Sequence, residues 1–194
     1  MPREKTFNVD VALQKAGETF WSHGYDATSM RDLLGAMGIQ KGSFYDTFGS
    51  KRSVYIRSLE QYVDTRFAHF FGEMIQGQGP MESLRTLTEV VYEECIGTAG
   101  HRGCMLINCA LELAHSDTGA QRIVQRALEF HEQSYADLII AGQQAGEISG
   151  ELDAMATAKA MLAIVIGMRV VSRAGASRAT LRTLADQILL LLER

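Results

Sequence analysis

Apolar residues recur at spacings of three and four along almost the whole of this chain, and its two prolines stand at positions 2 and 80. With so few breakers in 194 residues, helices can run long, because a proline inside a helix removes a backbone donor and clashes with the preceding turn. Valine, isoleucine and threonine nowhere alternate with polar residues long enough to predict a strand. The expected fold class is all-α. A content of 46% hydrophobic and 22% charged residues excludes disorder as the main state. The longest uncharged apolar stretch near the C-terminus, residues 160–168, is half of the ~18 residues that a membrane-spanning helix needs. The opening MPREKTFNVD has no apolar signal core. Three cysteines in such a chain read as thiols, not as a disulfide framework. The expectation is a cytoplasmic protein without a membrane partner.

Helix boundaries follow from the punctuation. Val9, Leu13, Ala16 and Phe20 make one face of a first helix that stops at Gly24. Ser29 with Asp32 has the form of a capping box, and Met30, Leu33, Leu34 and Met37 form the stripe of a second helix ended by Gly38. A third short helix lies between Gln40 and about Thr47, and Ser50 is placed to cap a long fourth helix carrying Tyr55, Leu59, Val63, Phe67, Phe70 and Phe71. After the loop 76–80, further helices are expected at 81–97, 104–115, 118–145, 153–173 and 178–193. Three short helices form a head over residues 1–50, and longer ones form a body over 51–194.

Residues 28–48 carry the strongest functional signal. Two short helices around a tight Gly38-Ile39 turn make a helix-turn-helix, whose second helix can enter a major groove. Gln40, Lys41, Ser43, Tyr45 and Thr47 crowd hydrogen-bonding groups onto that helix, Phe44 and Phe48 can hold it from below, and Gly42 allows close backbone approach. Charge alone does not argue for a polyanionic partner. The net charge is −4, and residues 1–52 hold seven basic against six acidic side chains. Affinity for phosphate must come from a few placed groups.

In a longer string, Phe20, Gly24-Tyr25, Thr28-Ser29, Ile39, Gly42, Phe44-Tyr45 and Phe48-Gly49-Ser50-Lys51 stand in an order that resembles the TetR family of transcriptional regulators. Ser53 departs from the acidic residue common there, and Asp46-Thr47 from an aromatic and a histidine. The resemblance implies a DNA-binding regulator, most simply a repressor, that leaves a palindromic operator when a small molecule or thiol modification acts on the body. It implies that Thr28, Tyr45, Thr47 and Lys51 meet phosphates while Gln40, Lys41, Gly42 and Ser43 face base edges, with Ser29 also among the DNA-binding residues. That division matches the physics, since phosphate contacts set register and base-edge contacts specify sequence.

The resemblance also implies a homodimer through residues 153–193. The apolar faces of Met161, Ile164, Val165, Met168 and Val171, and of Leu181, Leu184, Ile188, Leu191 and Leu192, support it. It further implies an inducer pocket, for which the candidate walls are Phe67, Phe70, Phe71, Tyr92, Met105, Cys109, His131 and Tyr135; plain core is the competing reading of each. Cys104 stands at a predicted helix start just after His101-Arg102-Gly103, an environment that favours the thiolate and makes it a candidate sensing thiol. His101, Cys104, Met105 and Cys109 offer soft metal ligands, but no C-x-x-C occurs, and neither a metal site nor a cofactor is expected.

Two other function classes compete. A helical enzyme would need a phosphate loop, a nucleophile elbow, H-E-x-x-H or paired E-x-x-H, and none is present. A protein-binding adaptor would have no need of Lys41, Tyr45 and Lys51 on the head.

Overall fold

The computed structural model describes residues 7–98 and 100–193. Among them are nine α-helices and no strand. Helix α1, Val9–His23, starts where the Asn8 side chain accepts from the N–H groups of Asp10 and Val11, and it ends at Gly24. Helix α2, Met30–Met37, opens on the expected capping box: Ser29 accepts from the Asp32 N–H while the Asp32 carboxylate accepts from the Ser29 N–H. Gly38 then turns the chain with φ of 69°, a left-handed conformation that costs a glycine little, and α3 follows at Lys41–Phe48. Helix α4, Lys51–Phe67, is capped by the Ser50 hydroxyl, which accepts from the Ser53 N–H at 3.0 Å.

Beyond Phe67 the structure departs from the sequence expectation of a continuous α-helix. Residues Ala68–Glu73 wind as a π-helix, with the Met74 N–H donating to the His69 carbonyl five residues back. The wide turn buries Phe70 while Phe67 and Phe71 both keep contact with the His131 ring.

The remaining helices fall close to expectation. They are α5 Pro80–Ile96, α6 Met105–Glu112, α7 Thr118–Gln144, α8 Ala154–Arg173 and α9 Arg178–Leu190. Pro80 sits in the first turn of α5, where its missing donor is harmless. Asp153 and Ser177 cap α8 and α9 with side-chain oxygens. A single 3-10 turn at Gly100–Arg102, which the sequence reading leaves in a loop, precedes α6.

The chain forms two compact units. The first holds the residues up to Asp64 together with Cys104–Val124, so it extends past the three short helices. Its core contains Phe20, Leu33, Phe44, Tyr55 and Leu59, all essentially inaccessible to solvent. Burial of side chains of this size contributes ~1.5–3 kcal/mol each. The second unit holds Thr65–Gly103 and Gln125–Arg194. There Leu84 and Leu87 of α5, Ile139 of α7, Met161 and Met168 of α8, and Leu181 and Ile188 of α9 make one continuous core.

Candidate nucleic-acid interface and sensor cluster

The helix-turn-helix is built by burying one side of each short helix. Leu33 and Met37 of α2 and Phe44 and Phe48 of α3 are buried, the two phenylalanine rings 5.7 Å apart. With those anchors fixed, the other side of α3 faces outward. Gln40, Lys41, Gly42 and Tyr45 are exposed, and Ser43 and Thr47 are half-buried. Gln40 is the residue before the first turn, and its side chain makes no capping bond to the helix. Lys51 opens α4, and its ammonium lies 4.4 Å from the centre of the Tyr25 ring, which holds the charge at the helix N-terminus, where anions are favoured.

Thr28 is placed differently from the phosphate role that the resemblance implies. It is 1% exposed, and its hydroxyl donates to the Gly24 carbonyl at 2.6 Å. That bond ties the turn between α1 and α2, so the side chain positions the motif and has no proton left for a phosphate. Ser29 is exposed but engaged in its capping box, and its hydroxyl holds the Asp32 carboxyl below the usual carboxylate range.

Two carboxylates from outside the first 50 residues brace this unit. Glu112 of α6 accepts from the Tyr25 N–H at 3.0 Å. A Cβ on Gly24, whose φ is 84°, would meet the same carboxylate at 2.7 Å, so only glycine fits here. Asp117 caps α7 through the N–H groups of Gly119 and Ala120, and it receives the Arg52 guanidinium through two nitrogens. Arg52 is the first cause of an Asp117 carboxyl held far below its ordinary value. Nothing in local periodicity announces either contact, because each joins residues 65 or more apart.

The three thiols have distinct settings. Cys95 and Cys109 are buried, and burial pushes the Cys109 thiol up. Cys104 is half-buried at the residue preceding α6, as the sequence predicts, and the Tyr62 hydroxyl lies 3.6 Å from its sulfur. Tyr62 in turn meets the Trp21 ring edge-on, with centroids 5.4 Å apart. Among the described residues no three His, Cys, Asp or Glu side chains gather as a metal site would require.

Of the eight candidate pocket walls, Phe67, Phe71, His131 and Tyr135 come together in the second unit. Phe67 and Phe71 meet the His131 ring at 4.9 and 5.4 Å, and Tyr135 lies along it at 6.4 Å. Phe70 and Tyr92 are core residues of that unit, under Arg66 and Arg182 respectively. Met105 and Cys109 belong to the first unit, where Cys109 pairs with Tyr55. Sequence reasoning missed Phe130, which stacks on Phe67 at 4.2 Å and is 42% exposed. It also missed Glu94, whose Oε2 accepts from Arg66 at 2.5 Å and from Arg169. His131 Nδ1 is enclosed and has no hydrogen-bond partner. Burial first, then the charges of Arg169 and Arg66, push its imidazole down to about 4, so it is neutral near pH 7. Burial likewise pushes the Tyr135 hydroxyl up to about 12.

Comparison with known proteins agrees with this geometry. Residues 12–57 match the family model described as bacterial regulatory proteins of the tetR family, and residues 80–188 match that of the tetracyclin repressor-like C-terminal domain. The HTH-type transcriptional repressor ComR of Escherichia coli is 28% identical over 188 residues, spanning 96% of this chain and 90% of its own. A TetR-family regulator from Cytophaga hutchinsonii superposes with a TM-score of 0.84 at 22% identity, over 95% of this chain and 92% of its own. A cysteine variant of CifR, solved with 26-bp double-stranded operator DNA, gives 0.84 at 21% identity over 96% and 98%. The head signature, the matched C-terminal body and the shared fold lead to one conclusion: the chain belongs to the TetR family of transcriptional regulators.

Proposed function

We propose that this chain is a homodimeric repressor that binds a near-palindromic operator through residues 28–51 and leaves it when a small molecule occupies the body. The observation that carries the reading is the outward face of α3. Gln40, Lys41, Gly42 and Ser43 supply base-edge contacts while Tyr45, Thr47, Lys51 and the N-terminal turn of α2 at Ser29 meet phosphates, with Thr28 acting through the turn it ties. DNA recognition falls to residues 1–50, and sensing and dimerisation to 51–194. CifR bound to its operator supports the DNA partner. Relatives named as regulators and not as enzymes support a non-catalytic role, and a DNA partner supports a cytoplasmic one.

The dimer reading rests on α8. This 20-residue helix has a mean hydropathy of 1.7, enough by length and composition to cross a membrane, yet only 22% of its apolar window is buried within one chain. Val170 on α8 and Leu190 on α9 stand exposed at 44% and 45%. A second copy using residues 153–193 covers this surface and sets two α3 helices about one duplex turn, ~34 Å, apart. Charged replacement of Ile164 or Leu184 abolishes operator binding while most helix content remains.

Selection from pooled genomic fragments, followed by salt-titrated binding to the recovered DNA, tests the function. Lys51→Ala weakens binding to all sequences alike and lowers the salt slope by ~0.9, one phosphate's share. Gln40→Ala or Ser43→Ala relaxes sequence preference by ~1–3 kcal/mol per contact. Absence of any selected duplex refutes the reading. A second release route is favoured by Cys104, the one cysteine of the three with partial exposure. Alkylation faster at Cys104 than at Cys95 or Cys109, with loss of operator binding, supports it.

A further inference from the structure

Among the described residues of the second unit, one buried side-chain nitrogen is left without a hydrogen-bond partner by the fold. His131 Nδ1 is enclosed without a partner, and such a group forfeits the hydrogen bonds it made to water in the unfolded chain. Around it stand rings: Phe67 and Phe71 edge-on to the imidazole, and Tyr135 alongside. The Phe67–Phe130 stack closes the set, and Phe130 is its exposed member at 42%. An aromatic or similarly flat apolar body that displaces Phe130 takes over its stacking on Phe67 and comes beside His131. The π-helical turn at Ala68–Glu73, a feature often found where a helix serves a site, is what sets Phe67 and Phe71 on that side.

Charge narrows the class of ligand. The guanidiniums of Arg66 and Arg169 both converge on Oε2 of Glu94, and both act electrostatically on His131. Arg66 and Arg169 bring two positive charges to the single negative charge of Glu94. Aromatic cages usually suit cations, but a cation beside His131 would be repelled by the two guanidiniums that act on it. An incoming carboxylate gains paired, charge-assisted hydrogen bonds from the same guanidiniums. We infer that the inducer site of this chain takes a small organic anion, an apolar or aromatic carboxylate whose body stacks in the Phe67–Phe71–Tyr135 cage and whose polar end is held between Arg66 and Arg169 within reach of His131. This rests on the regulator reading above and gives its inducer a chemical class.

The test uses the full chain without DNA first. Benzoate, phenylacetate and 3-phenylpropionate are titrated by calorimetry beside their amides and the corresponding amines, which match them in size but are neutral or cationic. The expected result is that one carboxylate binds at least about tenfold tighter than its amide, with the amine weaker still. Arg169→Gln removes that preference and leaves binding of the amide within about twofold, while His131→Phe weakens the carboxylate and preserves the fold by circular dichroism. Equal affinities for carboxylate and amide, amines binding best, or an unchanged preference in Arg169→Gln overturns the inference. Operator affinity is then measured with and without the bound carboxylate. Carboxylate binding that leaves operator affinity unchanged refutes release by this site but not the ligand class. Operator binding with no carboxylate preference refutes the ligand class but not the regulator.

Discussion

In the unit around α1–α3, Ser29, Asp32, Thr28 and Ser50 each close a local hydrogen bond, and Glu112 and Asp117 brace the result from far along the chain. In the second unit the Glu94 carboxylate is gripped by two arginines, while His131, among aromatic rings, keeps a buried nitrogen with no hydrogen-bond partner. A surface that must meet a rigid duplex gains from side chains already fixed in place, because ordering them on binding would cost affinity. A sensor gains from the opposite condition. An unpaired buried group raises the free energy of the empty state, and a ligand that pairs with it recovers that energy on binding.

The largest expected effect tests whether the first unit is as tightly packed as its hydrogen bonds imply. Phe44→Ala removes a fully buried ring from α3 and lowers unfolding stability by ~3–5 kcal/mol in urea titration. Phe130→Ala, on an exposed ring in the second unit, costs far less; an equal loss would erase the contrast. Next comes pH. His131 binds its proton near 6.5 when unfolded and at about 4 when folded. The unfolded state therefore takes up the proton first, so stability is full above pH ~6.5 and falls as pH is lowered towards 4, by up to ~3 kcal/mol in all. His131→Phe flattens that slope, and a slope that survives the substitution assigns it to other groups.

At neutral pH the two units respond with opposite signs. Ser29→Ala removes a working cap and costs ~1 kcal/mol, whereas His131→Phe removes an unpaired atom and raises stability by ~1 kcal/mol. Parallel urea midpoints decide this. The smallest effect is Arg182→Ala: its bidentate pair with Glu89 is half exposed and is worth ~0.2–1 kcal/mol, declining in 1 M salt.

Much of the fold was legible in the sequence because helix ends are local events. Gly24, Gly38, Ser29 and Ser50 mark boundaries by backbone conformation and side-chain caps that need only near neighbours. Phe44 and Phe48 declared the inner side of α3 by their spacing. The ring cluster around His131 was half legible. His131 and Tyr135 are one turn apart, but Glu94, Arg66 and Arg169 meet only after α5 and α8 have packed, across as many as 75 residues. The π-helical turn escaped notice since an aromatic run carries no period that distinguishes it from an α-helix. Thr28 misled for a related reason: a hydroxyl beside a binding motif reads as a contact until the carbonyl it bonds is visible.

The chain has a single tryptophan, Trp21, and it stands against Tyr62, whose hydroxyl points at Cys104. The contact makes the protein its own optical gauge. Indole emission responds to the ring beside it and to the water around it, so an adduct that pushes Tyr62 aside shifts Trp21 fluorescence without any attached dye.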